Sequence, residues 1–281
     1  MQICIAGGDK RAVFMAELFA KSGYRCVMFG FDNNACQKSG IEFAKDIARG
    51  MQNSAAVILP YPCKKDGFLN TPCSGRRIET DSIFAFDDGK RLFLGGGLPY
   101  KGENVIDYSA QEDFLWYNAV PTAEGAVAIA MEELDTTVYG AEITVVGYGR
   151  IGSYLTHILQ GLGAKVTVVA RNRKSRASAE VLGASAVGFE EIEAPLSCAD
   201  LVFNTVPAKV ISHRELKILP SGTAIIDLAS LPGGADEKEC LQYGIKLIRA
   251  LGLPGRVAPA FAGEALFKTI LPILKSRGIT P

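Results

Sequence analysis

Histidine is scarce in this sequence: only His157 and His213 occur among 281 residues. Neither shares ligand spacing with cysteine, so no zinc site is expected. The histidine–carboxylate pair that a 2-hydroxy-acid dehydrogenase would need is not evident either. His157 falls within a helical pattern and His213 at a helix start, and packing or surface roles suit both better than catalysis. Net charge is lacking as well. Thirty Lys and Arg balance thirty Asp and Glu, so no overall field draws the chain to nucleic acid or to an anionic membrane. No recognition-helix module argues for DNA, and no apolar run approaches the length needed to cross a bilayer. The seven cysteines, Cys4, Cys26, Cys36, Cys63, Cys73, Cys198 and Cys240, contain no C-x-x-C pair and are odd in number, and all are read as reduced thiols. Met1 leads directly into the strand-like Gln2-Ile3-Cys4-Ile5-Ala6, without a basic region ahead of an apolar stretch, and a cytoplasmic chain is expected.

What is present is a repeated short apolar run followed by glycine and a helical pattern, the signature of strands alternating with helices on a parallel sheet. In the first half these runs are Ile3–Ala6, Cys26–Phe29, Ala56–Leu59, Leu92–Leu94 and Val105–Ile106. In the second they are Ile143–Val146, Val166–Ala170, Leu201–Asn204, Ala224–Leu228 and Lys246–Ile248. The expected fold class is α/β, with two doubly wound parallel-sheet domains, the second a Rossmann dinucleotide-binding domain. The first domain is placed at residues 1–110 and the second at 111–259. Between Pro60 and Gly89, prolines and glycines interrupt every pattern, which suggests a loop or short-hairpin insertion. Pro121-Thr122-Ala123-Glu124 reads as the opening of an interdomain helix. A final amphipathic helix, 260–281, is suited to packing back on the first domain.

The strongest chemical signal is Ile143-Thr144-Val145-Val146-Gly147-Tyr148-Gly149-Arg150-Ile151-Gly152, a buried strand running into G-x-G-x-x-G and then a helix. Gly147 permits the tight turn, Gly149 admits a pyrophosphate, and Gly152 lets the helix approach the strand. The phosphates then meet the positive helix N-terminus. About 20 residues on, where an NAD-binding chain presents an acid to the ribose, stands Arg171, followed by Asn172, Arg173, Lys174 and Arg176. Such a cluster suits a 2′-phosphate, and NADP is the expected cofactor; a solvated basic turn is the alternative. Thr205, Val206 and Pro207 at one later strand end, and Asp227 and Ala229 at another, are the remaining candidates for the cofactor site.

The N-terminal strand and turn, Ile3 to Arg11, lack the third glycine, so a second dinucleotide is not expected there. Lys10 and Arg11 oppose the helix dipole unless an anion is near. They are candidate clamps for a carboxylate substrate, or else two surface charges. Arg256, in Gly252-Leu253-Pro254-Gly255-Arg256, is a third candidate, on a closing loop or a plain connector.

The segments Asn118-Ala119-Val120-Pro121-Thr122-Ala123-Glu124-Gly125-Ala126, Phe203-Asn204-Thr205-Val206-Pro207-Ala208, Ile226-Asp227-Leu228-Ala229-Ser230-Leu231-Pro232-Gly233-Gly234 and Gly252-Leu253-Pro254-Gly255-Arg256-Val257-Ala258-Pro259, with the glycine loop, resemble the A subunit of dipicolinate synthase. The resemblance runs from the first strand to the last helix. It implies NADP-linked oxidation, in spore-forming bacteria, of a dihydro or hydroxy-tetrahydro precursor to pyridine-2,6-dicarboxylate. It also implies work with a smaller B subunit that resembles flavoproteins, and it leaves a homo-oligomer open. Lys10, Arg11 and Arg256 would then hold the cyclic dicarboxylate. Glu124 is a candidate proton acceptor, or an ordinary first-turn carboxylate, and Asn118 and Thr122 are candidates for orienting substrate. A dehydrogenase of another small amino or keto acid, and a non-catalytic NADP-binding regulator, are the competing functions.

Overall fold

Four- and five-residue runs with almost no polar member can hide both faces only inside a sheet covered on both sides by helices. The computed structural model, which describes residues 1–32 and 41–281, has two such sheets. The chain divides into two units, Met1–Asn118 with Ala258–Pro281, and Ala119–Val257.

In the first unit the strands are β1 Gln2–Ala6, β2 Arg25–Phe29, β3 Glu42–Ala44, β4 Ser54–Ile58, the short pair β5 Lys64–Lys65 and β6 Phe68–Leu69, then β7 Leu92–Gly95 and β8 Val105–Asp107. Six of them form one parallel sheet in the order β3-β2-β1-β4-β7-β8. Helices α1 Lys10–Lys21, α2 Ile47–Met51 and α3 Thr80–Phe84 join them. The segment from Pro60 to Gly89 holds the antiparallel hairpin β5-β6 and α3. Asp66 and Gly67 between those strands have φ of 51° and 84°, the left-handed pair that a two-residue hairpin turn demands. The last helix, Pro259–Ser276, packs along α1, where a Cβ on Gly263 would lie 2.6 Å from the Arg11 carbonyl oxygen. Ile3, Phe19, Met28 and Ile270 sit in the core beneath it.

The helix that leaves this unit, α4, runs Glu112–Glu133. It therefore begins nine residues before Pro121, which lies inside it. The expected start at Pro121 is corrected: Phe114, Ala119, Ala123, Ala126 and Ala130 are all buried, and that stripe sustains the helix through a proline that would otherwise end it.

The second unit repeats the strand order. Strands β9 Glu142–Val146, β10 Lys165–Val169, β11 Ser185–Val187, β12 Leu201–Asn204, β13 Ala224–Asp227 and β14 Lys246–Arg249 form a parallel sheet ordered β11-β10-β9-β12-β13-β14. Its helices are α5 Arg150–Gly161, α6 Arg173–Val181, α7 Glu193–Leu196, α8 His213–Leu216, α9 Glu237–Gln242 and α10 Leu253–Val257, and the last helix of the chain becomes α11. Arg256 thus stands on a short helix, not on a loop. The chain has the two doubly wound sheets expected of it.

The thiols need one correction. Cys73 is disulfide-bonded, so the cysteines are not all reduced; bridging depends on which thiols the fold brings together, and sequence spacing tests only near neighbours. Cys36 lies outside the described residues. Cys4, Cys26, Cys63, Cys198 and Cys240 are free. Burial pushes Cys4 and Cys26 up to about 12 and Cys63 and Cys240 up to about 11, whereas Cys198 is exposed. Iodoacetamide at pH 8 is therefore expected to alkylate Cys198 well before the other four. Peptide mass mapping over time would show it, and modification of Cys4 at the same rate would contradict the burial argument.

Candidate nucleotide site

In an open α/β sheet, ligands settle at the carboxyl ends of the strands where the strand order reverses. In the second unit that place is between β9 and β12, and the glycine loop occupies it. Gly147 has φ of 99°, and its N–H donates to the Val169 carbonyl at 2.8 Å. A Cβ there would lie 2.2 Å from Thr205 Oγ1, and one on Gly152 would lie 2.2 Å from the Gly147 carbonyl oxygen. Both glycines are therefore demanded by the packing of the protein itself. Gly149 is different. It is the N-cap of α5, it is exposed, and a Cβ built on it would meet nothing within 4 Å. No side chain caps α5, so the start of this twelve-residue helix is available to an anion.

The neighbouring residues arrange this end of the sheet. Tyr148 is half-buried, and burial pushes its hydroxyl above the ordinary tyrosine range while Ser178 hydrogen-bonds to it. Ile151 packs against the core and Arg150 opens the helix. Thr205 donates its hydroxyl to the Val146 carbonyl at 3.0 Å, which ties the end of β12 to the end of β9. Arg171 and Arg173 are exposed after β10. The Asn172 carboxamide oxygen accepts from the Ser175 N–H at 2.7 Å, capping α6. Arg176 does not reach outward as a member of the anion-binding cluster. Its Nη1 donates to the carbonyls of Ala170 at 3.0 Å and Arg171 at 2.9 Å, so it braces the turn that presents Arg171.

At the end of β13, the Asp227 side chain is fully buried. Its Oδ1 accepts from Asn204 Nδ2 at 2.7 Å and from the Ala229 N–H at 3.2 Å, while Oδ2 accepts from the Gly234 N–H at 2.9 Å and Arg249 Nη1 at 2.6 Å. Four partners fill the carboxylate from within the protein, so Asp227 shapes the strand ends around it. Asn204, Gly234 and Arg249 complete this network; Asn204 and Gly234 stand in the segments quoted above without a role of their own, and Arg249 in none of them. The signal was there in Gly233-Gly234, where a Cβ on Gly234 would lie 2.2 Å from Asn204. Val206 lies beside it, its N–H donating to Asn204 Oδ1 at 3.1 Å, and Pro207 is exposed.

The substrate candidates divide between the units. Lys10 and Arg11 belong to the first unit and Arg256 to the second. The anion near Lys10 and Arg11 at the start of α1 is Asp9, whose carboxylate caps the helix and pairs with Arg11. On α4, Asn118 and Thr122 are one turn apart, but Glu124 is two residues past Thr122 and so about 200° around the helix. Thr122 is buried and Glu124 exposed. Glu124 is the thirteenth residue of α4, which corrects its reading as a first-turn carboxylate, and it does not share a face with the other two. His157 is exposed on α5, and His213 pairs with Tyr243. Among the described residues no group of three or more His, Cys, Asp and Glu could hold a metal ion, and no helix is long and apolar enough to cross a membrane.

Residues 2–108 match the N-terminal domain of the dipicolinate synthase A subunit, while residues 121–231 match the NAD-binding domain of D-isomer specific 2-hydroxyacid dehydrogenases. The A subunit of dipicolinate synthase from Bacillus subtilis (strain 168) is 27% identical over 98% of this chain and 96% of its own length. The crystal structure of the corresponding Bacillus halodurans protein has a TM-score of 0.88 at 28% identity, covering 97% of both chains. That of the Bacillus subtilis protein has a TM-score of 0.85 at 26% identity, covering 99% of this chain and 97% of that one. The chain is therefore similar to the A subunit of dipicolinate synthase over nearly all of its length, and its second half matches an NAD-binding dehydrogenase domain.

Proposed function

We propose that this chain oxidises a dihydro or hydroxy-tetrahydro pyridine dicarboxylate to pyridine-2,6-dicarboxylate with NADP, acting as the A subunit of a dipicolinate synthase. The observation that carries the nucleotide half of this reading is the glycine loop: Gly149 leaves open space that the fold does not use, at the uncapped start of α5. NADP supplies the hydride acceptor. The chain holds it by Gly147–Gly152 around the pyrophosphate, with Tyr148, Arg150 and Ile151 shaping the loop, and by Arg171, Asn172 and Arg173 at the adenosine ribose. Thr205, Val206, Pro207, Asp227 and Ala229 form the wall at the nicotinamide end, Asp227 through the backbone that it fixes. A hydroxy-tetrahydro form first loses water to give the dihydropyridine, and removing a hydride to NADP and a proton from that makes the ring aromatic, so the protein needs chiefly to position the ring and accept one proton. Asn118 and Thr122 orient the ring in this reading. Glu124, the candidate proton acceptor, stands about 200° around α4 from Thr122. Lys10, Arg11 and Arg256 are the cationic candidates for the two carboxylates.

Preference for NADP over NAD follows from Arg171 standing where an acid would meet the ribose. Losing one charge-assisted contact costs about 1.5–3 kcal/mol, so Arg171→Asp is expected to erode the preference by about tenfold to a hundredfold. Titration of both cofactors into each protein checks this, and a wild type that binds NAD more tightly refutes it.

The same reading includes the flavoprotein-like B subunit of dipicolinate synthase as a partner, together with a place in the cytoplasm. Co-expression with that partner is expected to raise pyridine-dicarboxylate formation at matched NADP and precursor. Equal turnover without co-purification would remove the heteromer. No NADP reduction with dihydrodipicolinate in either preparation, against turnover of an amino or hydroxy acid, would remove the proposed substrate.

A further inference from the structure

Arg11 is held in an unusual way for a residue in the first turn of a helix. Its Nε donates to Asp9 Oδ1 at 2.9 Å and Oδ2 at 3.0 Å, and its Nη2 donates to the Tyr61 carbonyl at 2.8 Å. It thereby joins the loops that follow β1 and β4, the strands between which the order of the first sheet reverses. Open α/β sheets bind their ligands at that crevice. The Arg11 side chain is only 9% exposed. Even so, Nη1 has no acceptor among the described residues and is not one of the buried atoms left without a partner. The Nη1 edge therefore opens to solvent at the mouth of the crevice.

The fold alone does not call for this arrangement. Asp9 caps α1 through the Arg11 N–H at 3.0 Å whatever the side chain there, and burying a guanidinium costs more than burying an apolar group of its size. Nor is the helix start itself the site, because the Gly8 N–H donates to the Asn70 carbonyl at 2.8 Å and the Ala12 N–H to the Asp9 carbonyl at 3.0 Å. What remains is a planar cation fixed on two sides with one donor edge free, which is what preorganised recognition of a carboxylate requires.

We propose that Arg11 anchors one carboxylate of the substrate through Nη1, and that Asp9 is a positioning residue that fixes the guanidinium. This rests on the function proposed above and adds the mode of binding. It separates Arg11 from Lys10 and Arg256, both exposed.

The test titrates pyridine-2,6-dicarboxylate, and separately NADP, into the full-length chain and its Arg11→Gln, Arg11→Lys and Asp9→Asn variants, each checked by thermal melt. Arg11→Gln is expected to weaken dicarboxylate binding by about tenfold or more with NADP affinity unchanged. Arg11→Lys is expected to fall between, since an ammonium keeps the charge but not the planar fork. Asp9→Asn keeps a capping oxygen and is expected to raise KM for the precursor more than it lowers kcat. Dicarboxylate affinity within about twofold of wild type in folded Arg11→Gln overturns the anchor. Should Arg11→Gln fail to fold, Arg11→Lys decides by the same criterion, because it retains the pair with Asp9. If the wild type ignores pyridine dicarboxylate but binds glyoxylate or pyruvate, the proposed function fails, and the same Arg11 comparison on that acid decides the anchor by itself. A wild type that binds no carboxylate overturns both.

Discussion

Replacing Asp227 by alanine is expected to cost about 3–5 kcal/mol of stability, the usual consequence of removing one partner from a buried ion pair. The magnitude follows from what is stranded. Arg249 would lose the acceptor of its Nη1, Asn204 one of the two acceptors of its Nδ2, and the N–H groups of Ala229 and Gly234 would lose theirs. Each buried donor left unmade adds its own desolvation cost. A surface pair gives the contrast: Arg25 bonds Glu42 at 3.0 Å with the arginine side chain 68% exposed, and Glu42→Ala is expected to change stability by no more than about 1 kcal/mol. Urea unfolding of both variants without cofactor measures the difference. A loss for Asp227→Ala no greater than that for Glu42→Ala would show that the network contributes nothing beyond a surface pair. Asp227→Asn is expected to fall short of wild type too, because an amide presents a donor to one side of a ring of four donors.

The central strands were legible because strands covered on both faces have almost no polar positions, as in Val145-Val146 or Val202-Phe203. Of the four edge strands, β8 and β14 were legible too, but β3 and β11 were not. Glu42-Phe43-Ala44 and Ser185-Ala186-Val187 are three residues each, with a polar member and one half-buried side, and nothing distinguishes such triplets from loops until a neighbouring strand pairs with them. The start of α4 was hidden by a rule that is sound locally: proline favours the first turn of a helix, and only the buried alanine stripe, which is a tertiary fact, carries the helix through Pro121. The strand, turn and helix around Gly147 could be foreseen because the backbone itself imposes the spacing. The partners of polar side chains could not. Asp9 answers the charge of Arg11 from two residues away, and Arg176 turns back onto its own backbone. Sequence shows that such groups are near, but not which of them are already engaged inside the protein and which face outward to a ligand.

That distinction gives the other large expected effect, which concerns two glycines three residues apart. Gly149→Val is expected to leave folding nearly intact and to weaken NADP binding by about 3 kcal/mol or more, the equivalent of at least two charge-assisted contacts. The added side chain enters space that the protein leaves empty, and its φ of −89° is one that valine adopts without strain. It would stand where the pyrophosphate must approach α5. Gly152→Val should behave in the opposite order. Its Cβ would lie 2.2 Å from the Gly147 carbonyl oxygen, a backbone atom that no rotamer change can move, so α5 must shift from β9 and stability falls before any question of binding arises. Thermal melts without cofactor, followed by NADP titration of whatever remains folded, separate the two. If Gly149→Val binds NADP as wild type does, the nucleotide does not lie over this loop. If instead Gly149→Val melts as early as Gly152→Val, the space beside Gly149 belongs to the fold and not to a ligand.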